Sequence, residues 1–242
     1  VDMSITGGLF APGSYSDGKV YGVDLPQGRT VRDNPMADKE AYPFAVTVPA
    51  GDFAVMGGTE GVDYSYAGNV LQFLTDTPMA VSMATPDATT RVDRIAVPSS
   101  NATPANVTLA GVKIDASGDA DGNGCAFAIE PGASASITLA EGSVNSLASG
   151  NKRAGLEVPD GASVSIGGEG SLEAKCESSK DNALGAGIGG GGGDSAGNIE
   201  ITGGTVTALC KSFPFDALGA GIGGGYVGSG GDIKISGGTV TA

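Results

Sequence analysis

The sequence has no histidine and no tryptophan among its 242 residues. The absence of histidine excludes Ser-His-Asp and Cys-His catalysis, histidine-ligated zinc and the commonest general base. The absence of tryptophan removes the strongest aromatic surface for stacking sugars or bases. Any chemistry of this chain must therefore rest on carboxylates, hydroxyls, amides, thiols and a few basic groups.

Basic residues and long apolar runs are also scarce. Lys and Arg number 13 against 27 Asp and Glu, which gives a formal net charge of −14. Such a surface repels nucleic acid and anionic lipid, so we expect no nucleic-acid partner. No apolar run reaches the ~18 residues of a membrane-spanning helix, so we expect no membrane insertion.

Glycine, by contrast, is abundant, with 43 residues that are concentrated towards the C-terminus and arranged in a repeat. Residues 171–204 and 205–238 align without a gap at a period of 34, with 18 identical positions. Each period contains short segments of alternating apolar and polar residues between glycine corners, a pattern typical of β-strands. Three strands per period, each stacked on its own copy, predict a parallel β-solenoid.

Fainter copies of the same strands run upstream of the repeat. One strand family has predicted inward pairs at Val107/Leu109, Ile137/Leu139, Val164/Ile166, Ile199/Ile201 and Ile233/Ile235. The strand after each corner carries Val112, Val144, Leu172, Val206 and Val240. The sequence therefore predicts an all-β parallel β-helix over residues 69–242, with three strands per coil, about five coils and no helix.

The segment GAGIGGG occurs at 185–191 and again at 219–225, and it contains the G-x-G-x-x-G spacing of dinucleotide-binding loops. Such a loop needs a helix after it, whose N-terminus holds the pyrophosphate. Here each copy runs into more glycine and then into a strand. We therefore predict a structural role, in which glycine lets neighbouring coils approach closely and lets the loops bend.

The N-terminal quarter differs from the rest of the chain. Residues 1–10 are predicted to end a preceding coil, because SITGGLFA resembles EITGGTVTA. Residues 11–68 are predicted to form a β cap or linker, since the open end of a solenoid exposes edge strands. The last coil stops at Ala242 without a cap, so we expect either a piece of a longer protein or head-to-tail self-association through the solenoid ends.

The segment DASGDADGNG is the best metal candidate in the sequence. Its alternating oxygen-bearing side chains predict a calcium site formed by Asp115, Ser117, Asp119, Asp121 and Asn123. The loop lacks the bidentate glutamate and the turn glycine of known calcium loops. A solvated turn, which favours the same residue types, is the alternative.

The three cysteines are Cys125, Cys176 and Cys210. The last two share one position of the repeat, and neighbouring strands lie ~4.8 Å apart, which is within disulfide range. They are therefore a disulfide candidate. Because their Cβ vectors are parallel, buried reduced thiols are the alternative.

Glycan binding without tryptophan would use other aromatic residues. The candidate ligand-binding residues are Tyr64, Tyr66, Phe213, Phe215 and Tyr226. The loop KSFPFDA (211–217) projects as a binding loop or packs over the coil edge, and we favour packing.

Outward carboxylates suited to a lyase or glycosidase are Glu157, Asp160, Glu173 and Glu200, but no pattern places two of them in one cleft.

The segments GGTEGVDYSYAGNVLQFL, RVDRIAVPSSNATPANVTLAGVKI and GAGIGGG…GNIEITGGTVTA resemble right-handed parallel β-helix modules of large adhesin-like or carbohydrate-binding surface proteins of Gram-positive bacteria. The resemblance covers nearly the whole chain and implies a right-handed coil and an extracellular location. We therefore expect a non-catalytic structural or adhesive stalk segment whose partners are glycans or host surface proteins. The alternative is a polysaccharide-binding or polysaccharide-active domain. Calcium is the one cofactor considered.

Overall fold

The computed structural model describes residues 8–11, 15–16, 19–20, 23–25, 29–36, 40, 44–101 and 103–242. These residues form an all-β structure without a helix, and hence without a helix able to cross a membrane. The strands, in chain order, are β1 (Gly8–Phe10), β2 (Tyr15–Ser16), β3 (Lys19–Val20), β4 (Val23–Asp24), β5 (Thr30–Asp33), β6 (Phe44–Ala50), β7 (Phe53–Met56), β8 (Tyr64–Ala67), β9 (Val70–Phe73), β10 (Met79–Met83), β11 (Arg94–Val97), β12 (Ala105–Leu109), β13 (Lys113–Asp115), β14 (Phe127–Ile129), β15 (Ser134–Leu139), β16 (Val144–Ser149), β17 (Leu156–Glu157), β18 (Ser163–Gly168), β19 (Ser171–Ser178), β20 (Ile188–Gly189), β21 (Asn198–Ile201), β22 (Thr205–Ser212), β23 (Ile222–Gly223), β24 (Asp232–Ile235) and β25 (Thr239–Thr241).

Three parallel sheets form the walls of a solenoid of about five coils. The first wall contains β9, β11, β14, β17, β20 and β23, and the second contains β10, β12, β15, β18, β21 and β24. The third wall contains β13, β16, β19, β22 and β25. The chain passes through the three walls in this order and then rises by one coil. The predicted parallel β-helix with three strands per coil is confirmed.

Glycine makes the corner between the second and third walls. Gly111, Gly142, Gly204 and Gly238 all stand at this corner with φ between 69° and 85°. This left-handed region is costly for residues that carry a Cβ, which explains why glycine recurs at one point of each coil.

The strand register follows the repeat in the C-terminal coils. Ile199 lies opposite Ile233, and Ile201 lies opposite Ile235. Upstream the stacking shifts, because Ile137 pairs with Ile166 and Leu139 with Gly168. The Leu139 side chain occupies the space left by glycine, since its Cδ1 lies 2.8 Å from where a Cβ on Gly204 would be.

The expected equivalence of Val144 and Leu172 is not observed. Val144 pairs with Ser171 and is exposed, whereas Asn145 pairs with Leu172 and is buried. The Asn145 Oδ1 accepts hydrogen bonds from the backbone N–H groups of Gly111 (2.9 Å) and Val112 (2.8 Å). Its amide also donates to the backbone oxygens of Leu109 (3.5 Å) and Ser171 (3.0 Å) and to Ser143 Oγ (3.0 Å). A buried amide is stable in this apolar corner because its polar atoms are paired.

One core cluster runs along the axis from Val48 to Ala208. At its N-terminal end β7 covers β10, and β8 covers β9, both in the antiparallel sense. Large aromatic side chains, among them Phe53 and Phe73, fill this end, and burying each contributes about 1.5–3 kcal/mol. β1 pairs antiparallel with β6 rather than in a parallel wall. The rest of the predicted preceding coil, residues 1–7, lies outside the described residues.

The two GAGIGGG segments contain β20 and β23 of the first wall. A methyl group at Gly187 would collide with the backbone of Leu209, and one at Gly185 would collide with the backbone of Arg153. Gly189 and Gly223 both have positive φ, at 135° and 136°. The glycines therefore permit close contact between strands, as predicted, and the chain continues into strands rather than a helix.

Candidate functional site

Long loops stack at the corner between the third and first walls. They comprise residues 116–126, 150–155, 179–187 and 213–221. Two depressions of about 410 and 680 Å³ lie along these loops and share Lys152. We call them together the corner trough. The smaller contains residues 117–122 and 177–181, and the larger lies over Glu157 at the outer face of β17.

The predicted calcium loop borders the smaller depression, but its side chains are engaged separately. Asp115 Oδ1 accepts hydrogen bonds from Ser117 Oγ (2.5 Å) and Ser117 N (3.2 Å). Asp119 lies 3.4 Å from the guanidinium of Arg94. Hydrogen bonds from the side chain and backbone of Asn123 lower the pKa of Asp121.

These pairings leave the five predicted ligands without a common centre. Among the described residues, no three or more cysteine, aspartate or glutamate side chains are grouped as metal ligands. The solvated-turn alternative accounts for the observed hydrogen bonds, and the calcium site stays a prediction.

The smaller depression carries more negative than positive groups. Asp121, Glu177 and Asp181 line it together with Lys152 and Lys180. Lys152 Nζ donates to the backbone oxygen of Asp121 (2.7 Å), which ties two neighbouring coils together. Such a lining favours neutral hydroxylated or cationic ligands over anionic ones.

The larger depression is built around a bidentate ion pair. Arg153 Nε donates to Glu157 Oε2 (2.6 Å), and Arg153 Nη2 donates to Glu157 Oε1 (2.5 Å). The backbone N–H of Ala154 lies 3.3 Å from Glu157 Oε2. Because of these contacts, only 7% of the Glu157 surface is exposed, although its side chain points to the outer face of β17. The hydrogen bonds to Glu157 raise the pKa of Arg153, which therefore remains cationic.

Asp194 adds a second carboxylate to this depression. A Cβ built on Gly191 would lie 3.3 Å from Asp194 Oδ2 and 3.4 Å from Glu157 Oε2, so the two carboxylates approach the same buried glycine. Both oxygens of Glu157 are already bonded to Arg153. The arrangement therefore suits hydrogen bonding to a ligand better than proton transfer.

The sequence predicted only part of this trough. Glu157 and Asp160 line the larger depression, as does Asp194, which sequence reasoning missed. Its repeat equivalent is Gly228, and this departure inside a well-preserved repeat was the available signal.

The other two predicted carboxylates lie elsewhere. Glu173 lies 3.5 Å from Lys175 on the third wall. Glu200 pairs with Lys234 at 2.6 Å on the outer face of the second wall, beside a shallow groove that also contains Ser136 and Ser165.

The five predicted aromatic ligands do not converge. Tyr64 is fully buried in the core, where its hydroxyl has no hydrogen-bond partner among the residues that the structure describes. Tyr66 is half-buried and donates to Asp93 Oδ1 (2.8 Å). Both belong to β8 at the N-terminal end of the solenoid, whereas Phe213, Phe215 and Tyr226 lie at the last coils.

The loop that carries Phe213 differs from expectation. Its backbone packs on the preceding coil, since Phe213 N donates to Ser178 O (3.3 Å) and Asp216 N donates to Asn182 Oδ1 (3.1 Å). The Phe213 ring nevertheless is 80% exposed. The loop is thus anchored through its backbone while a ring projects into solvent.

Cys176 lies opposite Cys210 in neighbouring parallel strands, and both thiols are free. The interaction between the two thiols raises the pKa of Cys176 and lowers that of Cys210 to about 7. For Cys125, burial and the charge of Glu157 raise the pKa to about 12. The structure thus corresponds to the reduced alternative, with two of the three thiols adjacent and chemically distinct from the third.

Reactive or candidate ligand-binding side chains lie in the corner trough, on the exposed Phe213 loop and at the thiol pair of Cys176 and Cys210. The three sites adjoin one another, since Cys176 directly precedes Glu177 of the trough in β19, and Cys210 in β22 lies just before the Phe213 loop. Comparisons with protein-family models, with curated proteins and with solved structures gave no match.

Proposed function

We propose that this chain is a non-catalytic structural and interaction segment of an extracellular bacterial surface protein. In this role the solenoid is a stiff, adhesin-like stalk, and the corner trough and Phe213 loop form its adhesive face. The observation that carries the proposal is the continuous core cluster that runs from Val48 to Ala208 along the axis. Its partners would be glycans or host surface proteins.

Stiffness follows from the way neighbouring coils are joined. Each strand in the middle of a wall pairs with one strand of the coil below and with one strand of the coil above, as β19 pairs with β16 and with β22. Five coils at about 4.8 Å per strand spacing rise roughly 24 Å along the axis. A rod built in this way resists local opening, because each pairing buries apolar side chains as well as satisfying backbone groups.

The outward charges support a structural role. Lys234 pairs with Glu200 on the adjacent coil, and Lys175 lies 3.1 Å from Glu177 on its own strand. Exposed pairs of this kind contribute only about 0–1 kcal/mol each. They hydrate and align the walls, which is the usual role of charged residues that face outwards. The extracellular location is supported by the sequence resemblance and is compatible with the acidic surface.

An immobilised sample of the chain tests this proposal. We expect retention of a restricted set of glycans or host surface proteins, weakened by Lys152→Glu in the trough and unaffected by Glu173→Gln on the third wall. We also expect no cleavage of acidic polysaccharides, with or without EDTA. Turnover of any polysaccharide would contradict the non-catalytic role.

A second candidate function is a dedicated polysaccharide-binding domain. It is favoured by the larger depression of the trough, which is lined by Arg153, Glu157 and Asp194 and has the volume of a small oligosaccharide site. If this function holds, Asp194→Ala should abolish glycan retention while leaving binding to proteins unchanged. Retention of host proteins alone would favour the adhesive stalk.

A further inference from the structure

The stacked thiols of Cys176 and Cys210 form a site that the stalk function does not use. Cys176 on β19 and Cys210 on β22 lie directly opposite each other in neighbouring strands of the third wall. Ser149 holds the same position on β16. Cys176 is fully buried, whereas Cys210 is partly exposed next to the loop 213–221. The pair therefore lies inside the solenoid with one sulfur near the surface.

Backbone groups surround both sulfurs in a similar way. Gly219 N donates to Cys210 Sγ (3.3 Å), and the backbone N–H groups of Leu184 and Gly185 interact with Cys176. The same sulfurs lie 3.4 Å from the backbone oxygens of Ala183 and Asn151. Backbone donors directed at a sulfur stabilise its thiolate, which is the form that binds metals, whereas the carbonyl oxygens accept from the S–H group that each cysteine carries without a metal.

The strand spacing suits a bridged pair better than a disulfide. Disulfides hold Cβ atoms about 3.8 Å apart, whereas side chains directly opposite in parallel strands keep the strand separation of about 4.8 Å. Two bonds of about the zinc–thiolate length of 2.3 Å span roughly 4.6 Å between sulfurs, which is close to the strand separation. A bridging ion therefore suits the spacing of these two strands.

We propose that Cys176 and Cys210 form a two-coordinate thiolate site for a soft monovalent metal ion, and that Cu(I) is its ligand class. Thiolates suit Cu(I), zinc and iron–sulfur clusters, and iron–sulfur clusters are held by four ligands. Zinc requires four ligands, and the described residues offer no cluster of three or more candidate side chains there. Binding replaces the thiol protons with the cation and changes no oxidation state. The ion would enter past Cys210, the partly exposed member.

A serine elsewhere in the same ladder indicates that serine substitutions of Cys176 and Cys210 preserve the fold. Ser149 holds the same ladder position as Cys176, where its Oγ accepts from Ala126 N (2.8 Å). We therefore expect Cys176→Ser and Cys210→Ser to fold, and a β-type circular-dichroism spectrum with an unchanged melting temperature checks this. Cys125→Ser is the control, because the Cys125 sulfur lies 3.9 Å from Ala154 O and Glu157 Oε2 and stands outside the ladder position that Cys176 and Cys210 share.

The test is an anaerobic titration of the phosphine-reduced chain against Cu(I) bicinchoninate, followed by X-ray absorption at the copper edge. We expect one Cu(I) per chain with two sulfur neighbours, in the unaltered chain and in Cys125→Ser. Cys176→Ser and Cys210→Ser should each bind Cu(I) at least about 100-fold more weakly. This loss of affinity exceeds the loss caused by removing a side chain that only supports a metal ligand. Undiminished uptake by folded Cys176→Ser and Cys210→Ser, no uptake by the reduced chain, or equal affinity for zinc would overturn the proposal.

Discussion

Arg153 and Glu157 hold each other in a two-bond ion pair on the outer face of β17. Arg153 remains about one-third exposed, whereas Glu157 is almost fully covered. A planar guanidinium that meets a carboxylate in this way fixes both side chains, so it sets the shape of the trough as well as its charge. The pair is therefore a good place to separate the contribution of the trough from that of the solenoid core.

Replacing Glu157 with alanine should lower the free energy of unfolding by about 1–3 kcal/mol, because Arg153 then loses a charged partner in a partly desolvated position. Urea unfolding monitored by circular dichroism measures the change. Glu200→Ala, which breaks the exposed pair with Lys234, should cost less than about 1 kcal/mol. Equal losses in the two variants would show that the trough pair is no more than a surface contact.

Asn145→Ala should cost about 3 kcal/mol or more, because it leaves the buried N–H groups of Gly111 and Val112 without an acceptor. Val144→Ala is the neighbouring control. Since Val144 is 62% exposed, its loss should change stability by no more than about 0.5 kcal/mol. Guanidinium unfolding of the two variants side by side distinguishes these outcomes, and a reversed order would contradict the observed register of β16.

Gly187→Ala should disrupt the stacking of β20, since the added methyl group meets the backbone of Leu209. Overpacking against a backbone that cannot move costs about 1–3 kcal/mol or more. Gly230→Ala is the matched control, because a methyl group there meets nothing within 4 Å. Thermal melts should show a fall of several degrees for the first variant and little change for the second. A stable Gly187→Ala protein would argue against the observed closeness of the coils.

Alkaline pH should destabilise the fold. Burial raises the pKa of Cys125 from 9.0 to about 12 and that of Tyr64 from 10.0 to about 12. Both pKa values are higher in the folded state than in the unfolded chain. The two groups therefore stabilise the fold fully below pH 9, and this stabilisation is lost as the pH rises towards 12.

Unfolding free energies measured between pH 8 and pH 11 test this expectation. Cys125→Ser should flatten the decline, since it removes one of the groups that ionise more readily in the unfolded chain. A decline that is identical in Cys125→Ser would show that the thiol ionises equally in both states.

The sequence predicts the register where the repeat is nearly exact and fails where the coils diverge. Ile199 and Ile233 are axial neighbours because a gapless period of 34 leaves one alignment. Between β16 and β19 the coil length changes, and the apolar pattern favoured Val144 as the inward residue. The structure instead selects Asn145, because its amide pairs with backbone groups that an apolar side chain would leave unsatisfied.

The trough could not be predicted as a unit for a related reason. Arg153 and Glu157 lie four residues apart in the chain, but Asp194 belongs to the next coil, and its proximity to them depends on how loops of unequal length stack at two corners. Local patterns report which face a strand residue occupies, but they do not report the position of a loop side chain above or below it. The thiol pair, in contrast, was predictable as neighbours because both cysteines lie in strands with the same repeat position.

Asn145 has a mechanical consequence. Through one amide it bonds to Leu109 and Val112 on the coil below and to Ser171 on the coil above, so it fastens three consecutive coils together. Its counterparts at the same corner, Leu172 and Val206, are apolar and contribute packing alone. Under tension the centre of the rod should give way as a single block, whereas the glycine-rich coils beyond it should peel off one at a time.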